Sequence, residues 1–326
     1  MKFLEVIRWW VYALLTCVPL APAWARPLKI AVPDGPVSLP LYVAFDKRFF
    51  DEEGLDVVRA WCTSGRACVA MLRDGVVDLA ASAEFAVATS GAQKSEIAIL
   101  ATLGESSRQI KLIGSRDAGI VNAADVAGKR VATVAGTSAQ YFLDQWLVFQ
   151  NINPQAIDLK AMDSGELLSA VRRRLVDAVA IWEPEATRVV DALGKSAVRL
   201  PSAHVYTQHF CLIASRQALA QRRESFEKLL RALARAQRFI SESRIEARGI
   251  LASRLGVPSA MAEKLISEND FKLALHATLP ATMVTQVRWQ MAQRRESRGA
   301  RIGSPAELID PSVLLSVLPQ GVTMPR

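Results

Sequence analysis

An aromatic and an acidic side chain, Trp182 and Glu183, end a stretch of the sequence that is otherwise apolar. The residues before them, 176–181, read VDAVAI, which is typical of a strand buried on both faces of a parallel sheet. Pro184 cannot donate to a strand ladder, so the strand is predicted to end here. Because open α/β sheets bind ligands at the carboxyl ends of their strands, Glu183 is predicted to contact a ligand, with Trp182 as an apolar wall. The alternatives are a carboxylate that caps a neighbouring helix and an indole that belongs to the core.

A Gly-Thr-Ser turn at Gly136, Thr137 and Ser138 is a second candidate for ligand chemistry. It opens a predicted helix whose buried stripe comprises Ala139, Phe142, Leu143, Trp146 and Leu147. Free backbone N–H groups, two hydroxyls and the positive end of the helix dipole together suit a small anion. An ordinary helix N-cap is the alternative. The GxxxxGK[ST] pattern of a nucleotide phosphate loop is absent from the sequence.

Thiol and imidazole chemistry has few candidates, because the sequence contains four cysteines and three histidines. Cys62 and Cys68 lie six residues apart, where a strand is predicted to end and a helix to begin. In an oxidising compartment they could close a local disulfide, and the alternative is a pair of reduced, partly buried thiols. Cys211, in HFCLIAS, resembles a buried strand thiol. No histidine lies at metal-ligand spacing from a cysteine, so we expect no metal site and no cofactor.

The N-terminus has the pattern of a cleavable signal peptide. Lys2 and Arg8 precede an apolar run, and APAWA precedes Arg26, which predicts removal of residues 1–25 and export of the rest. A retained membrane anchor is the alternative, although the apolar run is short for a span. The formal net charge is +8, and many arginines lie on predicted helices, such as the RRR run at 172–174. We interpret them as a solvated basic face and expect no nucleic-acid partner.

Strands alternate with helices along the chain, which predicts two α/β lobes, each with a mostly parallel sheet flanked by helices. The first series begins with LKIAVPD, and the pattern restarts after IKLIGS with RVATVA. Beyond about Gln217 the apolar residues recur at intervals of three and four, which predicts a helical C-terminal tail. We expect lobe 1 to comprise residues 26–113 and 216–326, and lobe 2 to comprise residues 114–215, including the strand that returns to lobe 1.

Four segments together carry a resemblance to a known family: IAVPDGPVSLPLYVAFDKRFFDEEGLDV, LRDGVVDLAAS, DVAGKRVATVAGTSAQYFLDQWL and VDAVAIWEPEA. They resemble the periplasmic solute-binding proteins of the nitrate, sulfonate and taurine group of ABC importers. The likeness extends from about Leu28 to Leu318, and FFDEEGLDV and the IWEP block are its most specific parts. It implies the type II periplasmic binding protein fold, with two crossing strands, for which IKLIGS and HFCLIAS are candidates. The two lobes of that fold close on a ligand by hinge motion.

The resemblance also implies which side chains line the cleft between the lobes. Carried over residue by residue, these are Ser38, Leu39, Glu84, Phe85, Thr137, Ser138, Gln140, Tyr141, Trp182, Glu183, Tyr206 and His209. The hydroxyls and helix ends would hold an anionic head group, and the acids would hold a cationic or hydroxyl end. Glu84 and Glu183 together would repel a simple inorganic anion such as nitrate. The expected ligand is therefore a small organic anion or zwitterion that is sulfonate-, taurine- or pyrimidine-like.

The function that the resemblance implies is capture of this ligand by a periplasmic monomer, which delivers it to an ABC transporter permease in the inner membrane. A ligand-sensing module that reports to a membrane receptor is one alternative. An enzyme is another, because relatives by fold include desulfinases with a nucleophilic cysteine and pyrimidine synthases with a cleft histidine. Cys62, Cys68 or His209 would then be the catalytic residue. However, the sequence shows no Cys–His pair of the kind that catalysis requires, and it lacks the cysteine-rich motif of the synthases. We therefore expect a binding protein without catalytic residues.

Overall fold

Short apolar strands form two separate five-stranded sheets. The structure is a computed structural model that describes residues 26–93, 95–202, 204–294 and 304–324. The predicted signal peptide, residues 1–25, lies outside these ranges. Among the helices within them, none is both long and apolar enough to cross a membrane.

The first sheet, sheet A, has the spatial order β2 (Val57–Cys62), β1 (Leu28–Pro33), β3 (Leu79–Ala83), β10 (Gln208–Ser215) and β4 (Ile97–Ser106). Strand β1 runs parallel to β2 and β3, whereas β10 runs antiparallel to β3 and β4. Most residues of β1, β3 and β10 are buried in succession, with Lys29 of β1 exposed, as expected for strands covered on both faces. The helices that follow its strands are α1 (Leu39–Asp46), α2 (Phe49–Glu52), α3 (Gly65–Arg73) and α4 (Glu84–Ala88).

The second sheet, sheet B, has the order β7 (Asp158–Ala161), β6 (Arg130–Thr133), β8 (Ala178–Trp182), β5 (Ile110–Ser115) and β9 (Ala197–Arg199). Strands β7, β6 and β8 are parallel, and β5 runs antiparallel to β8 and β9. Its helices are α5 (Ser138–Phe149), α6 (Ser164–Arg172) and α7 (Glu185–Leu193). A capping box formed by Asp163 and Glu166 fixes the start of α6, because each side chain satisfies a backbone N–H of the first turn.

The C-terminal tail is helical, as predicted. Its helices are α8 (Arg216–Gln221), α9 (Arg223–Glu242), α10 (Arg244–Leu255), α11 (Ser259–Ser267), α12 (Thr278–Arg294) and α13 (Ser312–Val317). The periodic stripe of α9, with Phe226, Leu229, Leu230 and Leu233, is completely buried in the core that also contains sheet A. We call sheet A with its helices and this tail lobe 1, and sheet B with its helices lobe 2.

The point at which the chain changes lobes differs from the sequence-based expectation. Strand β5 pairs within sheet B from Ile110 onward, and β10 pairs within sheet A as far as Ser215. Lobe 2 therefore gains most of β5 and loses β10, compared with the expected range 114–215. The reason is that sheet membership follows from strand pairing, and an apolar strand pattern does not specify its partner.

Candidate functional site

Glu84 is the acidic side chain at the boundary between the two lobes. It is the first residue of α4, directly after β3, and it is completely buried. Its carboxylate accepts hydrogen bonds from the Tyr206 hydroxyl, from the His209 backbone N–H at 2.9 Å and from Gln286 Nε2 at 2.7 Å. Burial raises the pKa of the Glu84 carboxyl, although the field of His209 and these hydrogen bonds act in the opposite direction. Glu84 thus connects sheet A to the segment before β10 and to helix α12.

Four aromatic rings pack together next to Glu84, and we call them the cleft aromatic cluster: Phe85, Tyr141, Tyr206 and Trp289. The Tyr141 ring centroid lies 5.7 Å from that of Phe85, 5.3 Å from that of Tyr206 and 5.6 Å from that of Trp289. The last two pairs are edge-to-face, the arrangement that aromatic quadrupoles favour. Phe85 belongs to lobe 1, Tyr141 to α5 of lobe 2 and Trp289 to α12. The cluster therefore joins both lobes and the tail.

Thr137 and Ser138 lie at the start of helix α5, and the hydroxyl groups of both side chains form hydrogen bonds within the protein. Thr137 is the N-cap: its Oγ1 accepts from the Ala139 N–H at 3.2 Å and donates to the Val134 carbonyl at 2.7 Å. Ser138 Oγ accepts from Gln208 Nε2, on β10, at 3.1 Å. The Thr137 side chain therefore caps helix α5 in this structure. Its contact with an anion stays a prediction.

Gln140 and Arg66 both meet the backbone of Gly136 in this turn. Gln140 Oε1 accepts from the Gly136 N–H at 2.7 Å, and Arg66 Nη2 donates to the Gly136 carbonyl. Gly136 has a φ of 64°, in the left-handed region that favours glycine. Because Arg66 lies on α3 of lobe 1, its guanidinium reaches across to the N-terminus of α5. A guanidinium beside a helix N-terminus favours an anionic group.

Glu183 is buried, with 1% of its side chain exposed, and its polar partners lie within the protein. It accepts from the backbone N–H and the hydroxyl of Thr187, in α7, at 2.9 Å each. Lys111 Nζ lies 2.7 Å from Glu183 Oε1 and also 2.7 Å from Glu268 Oε2, and Lys264 Nζ lies 3.8 Å from Glu183. These contacts match the helix-cap interpretation of Glu183 and add an ion cluster that joins lobe 2 to α11. Contact of Glu183 with a ligand stays a prediction.

Trp182, Ser38 and Leu39 contribute to the interior of the lobes. Trp182 is half-buried and packs against the apolar clusters on both faces of sheet B. Ser38 is completely buried and donates to the Pro33 carbonyl at 2.8 Å, and Leu39 lies in the lobe 1 core. Ser38 does occupy the N-cap position of α1, but its side chain makes no capping hydrogen bond. Ligand contact by these three side chains is untested.

His209 lies beside Glu84 and is 3% exposed. Its Nε2 lies 3.2 Å from Glu105 Oε2, and its Nδ1 is buried without a hydrogen-bond partner among the described residues. The neighbouring Tyr206 has a pKa well above its usual value because of burial and the nearby Glu84 carboxyl. The structure thus brings Glu84, Phe85, Tyr141, Tyr206 and His209 together, and their contact with a ligand stays a prediction.

The cysteines divide between a disulfide and a buried thiol. Cys62 and Cys68 form a disulfide with Cα atoms 5.4 Å apart, at the turn from β2 to α3. Cys211 is a free, buried thiol, and burial together with Glu84 raises its pKa well above the usual range. Within the described ranges, no group of three or more His, Cys, Asp or Glu side chains is arranged to hold a metal ion.

Comparison with known proteins assigns the chain to a family. Residues 35–247, more than half of the chain, match the family described as NMT1/THI5 like. The chain belongs to the NMT1/THI5-like family. A protein of Brucella abortus (strain 2308), named only as a binding protein, is 22% identical over 224 residues, which span 68% of this chain and 69% of that protein.

Solved structures show the same fold in periplasmic binding proteins. The alkanesulfonate-binding protein SsuA of Xanthomonas axonopodis pv. citri, bound to MOPS, has a TM-score of 0.73 at 18% identity and covers 87% of this chain and 98% of its own. The periplasmic nitrate-binding protein NrtA of Synechocystis PCC 6803 has a TM-score of 0.71 at 14% identity and covers 90% of this chain and 88% of its own. The predicted two-lobed fold of this NMT1/THI5-like chain is thereby confirmed.

Several residues at the lobe boundary of this NMT1/THI5-like protein were missed from the sequence. Gln286 and Trp289 approach the cleft from the tail, and Trp289 Nε1 donates to Asp144 Oδ2, on α5, at 2.8 Å. Arg66, which lies between the two cysteines of the disulfide, was not predicted to reach the start of α5. Gln286 and Trp289 lie three residues apart, so they share one face of the helix. This spacing of a polar and an aromatic residue was the sequence signal that could have placed both at the lobe boundary.

Proposed function

We propose that this chain is the extracytoplasmic solute-binding component of an ABC importer, and that it captures a small organic anion or zwitterion between its lobes by hinge closure. The observation that carries the proposal is Glu84, a completely buried carboxylate that side chains from both sides of the lobe boundary enclose. Burying a carboxylate is costly unless it is hydrogen-bonded or paired with a cation. Such a group at the carboxyl end of a strand is suited to recognising a ligand.

The chemistry of the boundary supports a zwitterionic ligand. The oxygens of the Glu84 carboxyl group, which accept hydrogen bonds, and the faces of the cleft aromatic cluster favour a cationic or amine group. Arg66 and the N-terminus of α5 favour an acidic group at the other end. Glu84 and Arg66 belong to lobe 1, whereas Tyr141 and the start of α5 belong to lobe 2. A ligand that contacts groups of both lobes would therefore stabilise the closed arrangement.

The comparisons support the same ligand class. SsuA of Xanthomonas axonopodis is an alkanesulfonate-binding protein, and its ligand MOPS is a sulfonate that also carries an amine. We infer a sulfonate-, taurine- or pyrimidine-like ligand for this chain, a periplasmic location after removal of residues 1–25, and delivery by a monomer to an inner-membrane permease. A sensor role would use the same binding chemistry with a membrane receptor as the partner.

The arrangement of the cysteines favours binding over thiol catalysis. A nucleophilic thiol needs to be exposed or paired with a base, and its pKa needs to be lowered. Cys62 and Cys68 are joined in a disulfide, and Cys211 is buried with a raised pKa. The desulfinase-type alternative therefore has no suitable nucleophile among these three cysteines.

A thermal-shift screen of residues 26–326 tests the proposed function. The compounds are alkanesulfonates, taurine, pyrimidines, nitrate, bicarbonate and aromatic acids. A ligand at about a hundred times its dissociation constant should add about 2.7 kcal/mol to the free energy of unfolding. At least one amino-sulfonate or pyrimidine is expected to raise the melting temperature in this way. Unchanged melting curves with every compound would contradict the proposal.

A further inference from the structure

A cavity lies between the two lobes, and its lining residues differ from the cleft residues described above. Its volume is about 450 Å³, within the range of small-molecule sites. Lobe 2 contributes the start of β5 and the end of β9, and lobe 1 contributes the end of α11. None of the twelve cleft residues implied by the resemblance lines this cavity.

The charged side chains of this cavity are mostly basic. Four cations, Arg108, Lys111, Arg199 and Lys264, face one acid, Glu268. Glu268 is already paired with Lys111 at 2.7 Å, so it does not neutralise the others. The excess positive charge favours an anionic occupant.

Two of these cations have no partner in the part of the chain that the structure describes. The guanidinium groups of Arg108 and Arg199 form neither an ion pair nor a hydrogen bond with any described residue. Lys264 Nζ has a long hydrogen bond of 3.4 Å to the Thr187 hydroxyl and lies 3.8 Å from Glu183. Donors are thus available on both sides of the cavity.

The walls beside these donors are partly apolar. Leu112 and Leu200 line the cavity together with the two arginines and the two lysines. Apolar walls lower the local dielectric and strengthen a charge-assisted hydrogen bond to an anion. Each guanidinium also presents a planar pair of donors that matches two oxygens of one acid group.

We propose that this cavity binds a small oxyanion with at least two acidic oxygens, of the chemical class of inorganic phosphate. Arg108 and Arg199 hold it from lobe 2, and Lys264 holds it from lobe 1. The proposal does not rest on the proposed function of the cleft. Because the occupant contacts both lobes, its binding is coupled to their relative position, and the coupling is reciprocal with any ligand of the cleft.

The test is a calorimetric titration of residues 26–326 with sodium phosphate, with sodium chloride adjusted to keep the ionic strength constant. The wild-type protein is expected to bind phosphate saturably, with a dissociation constant on the order of 1 mM or tighter. The double variant Arg108→Gln/Arg199→Gln is expected to bind about tenfold more weakly or worse. Both arginines are exposed, so the variant should fold, and a circular dichroism spectrum checks this.

The matched control is Arg173→Gln, which removes an exposed arginine outside the cavity whose side chain has no partner among the described residues, and it should leave phosphate affinity unchanged. If Arg173→Gln weakens phosphate binding as much as the double variant does, the effect reflects the net charge of the protein and the proposal is overturned. Absence of saturable binding, or equal affinity in the double variant, would overturn it as well. Equal affinity in the double variant would mean that phosphate binds at another place, such as the cleft. It would not contradict the proposed function of the cleft.

Discussion

Replacing Glu183 with Ala separates a structural from a ligand-binding role for this residue. The change removes the cap of α7, worth about 1 kcal/mol, and the charge-assisted contact with Lys111, worth about 1.5 to 3 kcal/mol. Breaking a buried ion pair typically destabilises by about 3 to 5 kcal/mol because one charge is left unpaired. Here Lys111 keeps Glu268 at 2.7 Å, so the low end of that range applies. We expect a loss of about 3 kcal/mol in the free energy of unfolding.

Urea denaturation followed by circular dichroism measures this loss, and Glu185→Ala is the matched control. Glu185 is the next acid along the chain, and its side chain pairs with Arg188, three residues further along the same helix. Its replacement should change the stability by less than about 0.5 kcal/mol. If Glu183→Ala loses less than about 1 kcal/mol but binds a proven ligand at least about tenfold more weakly, the structural reasoning is refuted and Glu183 is a ligand contact.

Three further predictions concern Glu84, the cysteines and the N-terminus. Burial raises the Glu84 pKa above 4.5, so its contribution to stability is present below that pH and is lost as the pH rises through the raised value. Relative to Glu84→Gln, the wild-type protein should lose stability as the pH rises above 4.5 and through the raised pKa of Glu84, and a difference in urea midpoints that stays constant with pH would contradict this. Thiol titration of the denatured, unreduced mature protein should find one thiol, Cys211, and a count of three would exclude the disulfide. Mass spectrometry of the exported protein should give a chain that begins at Arg26, and a chain that retains residues 1–25 would refute the predicted cleavage.

The fold followed from local patterns that the sequence displays directly. Alternating strands and helices predicted two α/β lobes, and the three- and four-residue apolar spacing of α9 predicted the tail that covers lobe 1. Glu84 and Thr137 were placed correctly at the ends of strands because each follows a short apolar run. Local periodicity is encoded within a few neighbouring residues, so it can be read without knowing the tertiary structure.

The parts that the sequence did not reveal depend on contacts between distant residues. Lys111, the cation that pairs with Glu183, lies 72 residues before it, and Glu268, which pairs with the same lysine, lies 85 residues after it. Trp289 and Gln286 reach the cleft because α12 crosses the lobe boundary, which its composition does not indicate. From the sequence, Glu183 was predicted to face a ligand cleft at the end of a strand. In the structure it is buried and belongs to an ion cluster with Lys111.

The affinity of a ligand from the thermal-shift screen for wild-type and Glu84→Gln protein tests the central claim most directly. Isothermal titration calorimetry measures both dissociation constants, and Glu224→Gln serves as the control because Glu224 is exposed and pairs with Lys228 on its own helix, α9. Loss of a charge-assisted contact at Glu84 predicts binding about ten- to a hundredfold weaker, with little change in Glu224→Gln. Equal dissociation constants for wild-type and Glu84→Gln would contradict a ligand site at Glu84.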